Sequence, residues 1–186
     1  MHSYQKIFAS GIAALALAAS AVHASTSVQE KAQQKSDAAD VSMAAPTWLV
    51  GTWTLVRCDN VYPDGHRVEL YGPHPQGMWM IDAKGHYMMH IARVQRMPVA
   101  SGDKSKGTAE EYRAASLDSN SHFGSISIQD GQMATHIVQA SFPNWNGRGG
   151  KSKYTLDGNQ LTYIMAKPSS GASEGAHGEV VWQRMD

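Results

Sequence analysis

The chain has 186 residues, 42% of them hydrophobic and 17% charged, with a formal net charge of +0. That length suits one domain with one core, and the low charged fraction excludes a disordered chain. The neutral balance supplies no basic face for nucleic-acid phosphates and no attraction to an anionic membrane surface.

Lys6 is the only charge before a run of small apolar residues, Ile7 to Ala21, which ends in Val22-His23-Ala24. The pattern predicts a cleaved secretory signal over residues 1–24, with Ser25 opening the mature chain. The apolar run is too short to span a bilayer and lacks a stop-transfer flank, so no membrane span is expected. The rival reading, an N-terminal helix of the domain, leaves the three-part signal pattern without a reason. No cysteine lies near the cleavage site, which argues against a lipid anchor. A periplasmic or secreted location follows. Residues 25–45 are Ala-, Gln-, Ser- and Asp-rich without an apolar face, and read as a flexible polar leader. The domain is expected over residues 46–186.

Trp48 to Cys58 is rich in Trp, Val, Leu and Thr and reads as a strand. Asp64-Gly65 marks a turn, and Val68 to Tyr71 is a short strand stopped by Gly72-Pro73. Gly77 to Asp82 and His86 to Ala92 form a hairpin around Gly85. Arg93 to Gly107 is a long polar loop. Thr108-Ala109-Glu110-Glu111 is a capping box that starts one short helix, with Tyr112, Ala115 and Ser116 on its expected inner face. Strands follow at Phe123 to Gln129 and Gln132 to Phe142, joined by Asp130-Gly131. Two more, Lys151 to Leu156 and Gln160 to Met165, are joined by Asp157-Gly158-Asn159. The last is Glu179 to Arg184. About nine evenly spaced strands and one short helix predict an all-β, antiparallel up-and-down barrel, since closure removes sheet edges. An open sandwich is the rival architecture. Cys58 is the only cysteine, so no internal disulfide is available.

An ordered series of motifs runs along the chain: Gly51-Thr52-Trp53, Asp64-Gly65, Tyr71-Gly72-Pro73, Ala83-Lys84-Gly85, Gly107 to Arg113, Phe123-Gly124, His136, Phe142-Pro143-Asn144-Trp145 and Val181-Trp182-x-Arg184. The series resembles the bacterial and fungal lipocalin-like domain family across roughly residues 48–185. The resemblance implies a lipocalin-like barrel whose interior takes an apolar ligand, and it implies no settled reaction. It also implies that Arg184 packs across Trp53 and closes the barrel floor as a structural pair. Relatives tend to carry arginines where this chain has Ser152 and Lys153, so a bidentate grip on a carboxylate is not expected here.

Candidate ligand-binding residues are Tyr71, Trp79, Phe123, Ser125, His136, Asn144, Trp145 and Lys153. Pairing through Asp130-Gly131 puts Ser125 opposite His136, on a face with Phe123, Ser127 and Val138. The opposite face carries Ile126, Ile128, Met133 and Ile137. Both faces are partly apolar, so periodicity leaves open which one points inward. Pro143 ends a strand near the barrel mouth, where Asn144 can hold a polar group and Trp145 a ring. Trp79 lies in the methionine-rich hairpin Met78-Trp79-Met80 and Tyr87-Met88-Met89, whose adaptable thioethers suit a pocket or ordinary core. His86 and His90 lie four residues apart on a strand, about 13 Å, too far for one ion to bridge, and no metal site is expected. No cofactor motif is present and none is expected. The sequence leaves the oligomeric state open. Three functions remain. The first is binding of a small apolar or amphipathic molecule. The second is a cofactor-independent isomerase, cyclase or hydratase with His136 as its candidate catalytic acid/base. The third is a structural role in the envelope.

Overall fold

In β1 (Gly51–Val61), Trp53 and Leu55 are buried while Thr54 and Val56 are exposed, the alternation of a strand with one face on a core. A bulge between Leu55 and Arg57 shifts the phase, so Cys58 and Asn60 continue the inward row. The computed structural model describes residues 44–168, 172 and 174–185. The expected signal peptide and nearly all of the expected leader lie outside the described residues.

Eight strands close on themselves: β1, β3 (Gln76–Ile81), β4 (His86–Ala92), β5 (Ser119–Gln129), β6 (Gln132–Ala140), β7 (Gly149–Asp157), β8 (Gln160–Met165) and β9 (His177–Arg184). Each pairs antiparallel with the next, and β9 returns to β1 through register pairs from Trp53↔Arg184 to Val61↔His177. The short β2 (Arg67–Glu69) adds to the far end of β1 as a ninth strand. Closure therefore rules out the open sandwich. The helix α1 (Ala109–Leu117) has the expected capping box: Thr108 Oγ1 accepts from the Glu111 amide, and Glu111 Oε2 accepts from the Thr108 amide. Its expected inner face is corrected. Tyr112 is exposed, because its hydroxyl turns to the preceding loop, accepting from the Gly107 amide and donating to the Lys104 carbonyl.

Asp130 and Gly131 both adopt positive φ, 52° and 70°, the backbone that a two-residue hairpin requires. They fix Gln129↔Gln132 and Ser125↔His136. The interior row of β5 is Asn120, His122, Gly124, Ile126 and Ile128; that of β4 is Tyr87, Met89 and Ile91.

The core fills one end of the barrel. Trp53, Leu49, Ile126, Met133, Leu161 and Trp182 are almost wholly buried there. A short turn before β1 plugs this end: Trp53 Nε1 donates to the Leu49 carbonyl at 3.0 Å, and Trp48 stacks on Tyr154 at 5.3 Å. Arg184 locks the plug. Its guanidinium carbon lies 5.4 Å from the Trp53 ring centroid, while Nη1 and Nη2 donate to the Trp48 and Val50 carbonyls at 2.6 and 2.7 Å. Outside the wall, Arg67 Nη1 donates to Asp59 and Glu179, and Arg57 Nη2 donates to Glu179 at 2.6 Å. This network ties β2 to β1 and β9.

Candidate functional site

The far end of the barrel holds the polar groups. There the inward rows of β4 and β5 place Tyr87 and His122 together, with Tyr87 Oη and His122 Nδ1 2.9 Å apart. The two rings meet edge to face at 5.4 Å. Trp145 stands over His122 at 6.1 Å, and Phe142 backs Trp145 at 5.5 Å, both edge to face. The 3-10 turn Pro143–Trp145 positions them, since Pro143 stops β6 and the Asn146 side chain caps the strand at the Ala140 amide. Below lies an aromatic floor in which Trp79 contacts Tyr87, Tyr163 and Trp182 at 6.1, 5.9 and 5.4 Å.

Trp79, Tyr87 and Tyr163 are buried here, and Tyr71, Asn120, His122 and Trp145 are half-buried. Burial pushes the His122 imidazole down to about 4, so it is neutral at pH 7. Burial pushes the Cys58 thiol and the Tyr71 hydroxyl up to about 12, and raises Tyr87 and Tyr163 further still. An Asn120 side-chain hydrogen bond partly opposes the rise at Tyr71. Among the described residues three buried polar atoms nevertheless have no hydrogen-bond partner, Trp79 Nε1, Asn120 Oδ1 and Trp182 Nε1. The indole of Trp182 interacts with Tyr163, but its Nε1 forms no well-shaped hydrogen bond. Arg93 holds the rim: Nε donates to Asp118 Oδ1 at 3.0 Å, and Nη2 donates to the Leu70 carbonyl at 3.0 Å.

Of the residues singled out from sequence, Tyr71, Trp79 and Trp145 belong to this region. Phe123, Ser125 and His136 do not. They lie on the faces of β5 and β6 opposite the buried Ile126 and Met133, and Phe123 and His136 are exposed. Asn144 is exposed in the 3-10 turn. Lys153 is exposed on β7, facing an outer groove with Lys151, Ile164 and His177. Sequence reasoning passed over His122, Asn120 and Tyr163, and named Tyr87 only within the methionine-rich hairpin. The alternation His122-Gly124-Ile126-Ile128 was the signal available for His122.

Eight antiparallel strands closed into a barrel, with a plugged floor and one short helix, define a lipocalin-like fold. The chain belongs to the lipocalin-like domain family, which it matches over residues 50–185. Among solved structures it is similar to a lipocalin-like protein from Bacteroides uniformis, at 14% identity and a TM-score of 0.39, covering 74% of this chain and 99% of that one. It is also similar to the lipoprotein YedD from Klebsiella pneumoniae, at 10% identity and a TM-score of 0.36, covering 77% of each chain. A redesigned β-barrel shares 16% identity at a TM-score of 0.37, covering 77% and 97%. No curated protein matches the chain significantly.

Proposed function

We propose that this protein binds a small, uncharged, apolar or amphipathic molecule in the upper chamber of the barrel. One observation carries the reading: buried polar atoms without partners, Trp79 Nε1 and Asn120 Oδ1, stand in an aromatic-walled interior. An unpaired buried donor or acceptor costs about 1–3 kcal/mol, which a ligand hydroxyl or carbonyl recovers. The ligand is uncharged because no inward group among the described residues offers it a counter-charge, and a lone buried ion is costly. Trp145 and Phe142 supply flat apolar surface at the entrance. The neutral state of His122 and Tyr87 favours binding over acid–base chemistry, since a general base works best with a pKa near the operating pH.

The test is titration with the neutral probe N-phenyl-1-naphthylamine. Saturable emission, competed by a neutral aromatic alcohol and weakened about tenfold in Trp145→Ala, is the expected result. Emission unchanged up to the probe's solubility limit would refute the reading.

We further infer that the protein acts outside the cytoplasm, from the three-part N-terminal signal, Lys6, the Ile7–Ala21 run and Val22-His23-Ala24. Intact-mass measurement of protein from its own cell should give a chain beginning at Ser25. A chain retaining Met1 would rule export by this signal out.

A further inference from the structure

The outward face of the β3–β4 hairpin carries residues that neither the core nor the chamber uses. Met78, Met80 and Met88 are 45%, 46% and 56% exposed, although methionine is ordinarily a core residue. The strand register makes them an array. Met80 lies directly opposite Met88, and Met78 directly opposite His90. Opposed pairs stand about 5 Å apart at Cβ, within reach of two long, flexible side chains. His86 precedes Met88 on the same face. Met80, Met88 and His86 border one shallow groove, beside Thr52, Asp82 and Phe123.

The imidazole of His86 is oriented. Its Nδ1 lies 2.9 Å from Asp82 Oδ2. A carboxylate only accepts, so Nδ1 carries the hydrogen, and in neutral imidazole the lone pair is on Nε2, on the far side of the ring. A carboxylate that fixes the tautomer in this way is the usual outer partner of a metal-ligating histidine. His90 is held similarly, with Nδ1 2.6 Å from Ser121 Oγ.

We propose that this groove binds a soft monovalent cation, Cu(I) or its analogue Ag(I), through Met80 Sδ, Met88 Sδ and His86 Nε2. Thioethers are neutral, polarizable donors that favour Cu(I) over hard divalent ions. The one nearby carboxylate, Asp82, already accepts from the Lys84 and His86 amides and from the His86 ring. Ca(II), Mg(II) and Zn(II) therefore find no charged ligand set here. The histidines His86 and His90 cannot share one ion along the strand, but Met88, two residues on along β4, and Met80, across on β3, border the same groove as His86. The proposal is independent of the chamber, because these side chains point away from the barrel interior.

Native mass spectrometry and calorimetric titration with Ag(I) test it, alongside Cu(I) competition against bicinchoninate under anaerobic reducing conditions. One ion per chain is expected, with no comparable uptake of Zn(II). Met80→Leu with Met88→Leu keeps size and apolarity, and should lower affinity at least 100-fold without changing the melting temperature. His86→Gln should lower it at least tenfold. Absence of silver binding, or wild-type affinity in either variant, would overturn the proposal and leave the methionines as an apolar contact face.

Discussion

At the residue scale, two side chains carry most of what can be measured. His122 is neutral because it is desolvated, with its folded pKa near 4 against an ordinary 6.5. The unfolded chain therefore binds the extra proton first as pH falls. Its contribution to stability is fully present above pH 6.5 and is lost between about pH 6.5 and 4, amounting to about 3 kcal/mol. Carboxylates held low, such as Glu179 beside Arg67 and Arg57, lose their contribution only as pH falls through and below the ordinary carboxylate range. Urea titrations from pH 7.5 to 4 should show this loss in the wild type and its absence in His122→Gln; parallel profiles would refute the assignment. Arg184 acts at the other end. Arg184→Ala removes a guanidinium from the Trp53 face and two hydrogen bonds from the Trp48 and Val50 carbonyls. Together these are worth about 3 kcal/mol. A thermal melt should fall by roughly 8 °C; an unchanged midpoint would mean the plug holds without it.

At the scale of elements, the join of β5 and β6 decides which residues enter the barrel. The register shifts between Phe123 and Gly124, and a Cβ at Gly124 would fall 1.9 Å from the His136 carbonyl oxygen. Gly124→Ala should therefore cost about 3 kcal/mol in urea unfolding, since the obstacle is backbone. Gly150→Ala on β7, with nothing within 4 Å, should change stability by no more than about 0.5 kcal/mol. Equal costs for the two would remove the bulge as the cause. The same join marks where the sequence was legible. The hairpins at Asp130-Gly131 and Asp157-Gly158, and the capping box at Thr108, were readable because they depend on local backbone chemistry. The ordered motifs from Gly51 to Arg184 made the barrel readable. The start of β5 was not, because Ser119, Asn120, Ser121 and His122 are polar and look like loop. Pairing with β4 satisfies their backbone, and the chamber tolerates their side chains. Nor was the inward face readable, since Phe123 and Val138 mimic a core row on the outside. Only closure, which buries Ile126 and Met133, settles it. His136 and Ser125 are paired as expected, and closure puts their face, which periodicity left open, on the outside of the wall.

At the scale of the whole molecule, the barrel is held by ring closure, the plugged floor and the packing of Trp53, Trp79 and Trp182. The chain's single cysteine gives it no internal disulfide. The proposed export would place it in an oxidising compartment, where an exposed odd thiol invites pairing between chains. Cys58 avoids this by position. It is buried in the inward row of β1, and burial, together with the neighbouring Asp59 carboxylate, lifts its thiol from 9.0 to about 12. The thiolate is the reacting species, so at neutral pH the folded chain holds about 1,000-fold less of it than the unfolded chain. Reaction with Ellman's reagent at pH 7.5 should accordingly be at least 1,000-fold slower for native protein than in 6 M guanidinium. A reductant should leave the melting temperature unchanged. Fast native labelling would mean that β1 opens from its neighbours near Cys58. Because β9 closes the ring on β1 through the Cys58↔Val180 pair, that opening would breach the barrel itself. The labelling rate is thus a direct measure of how firmly a barrel without a disulfide stays shut.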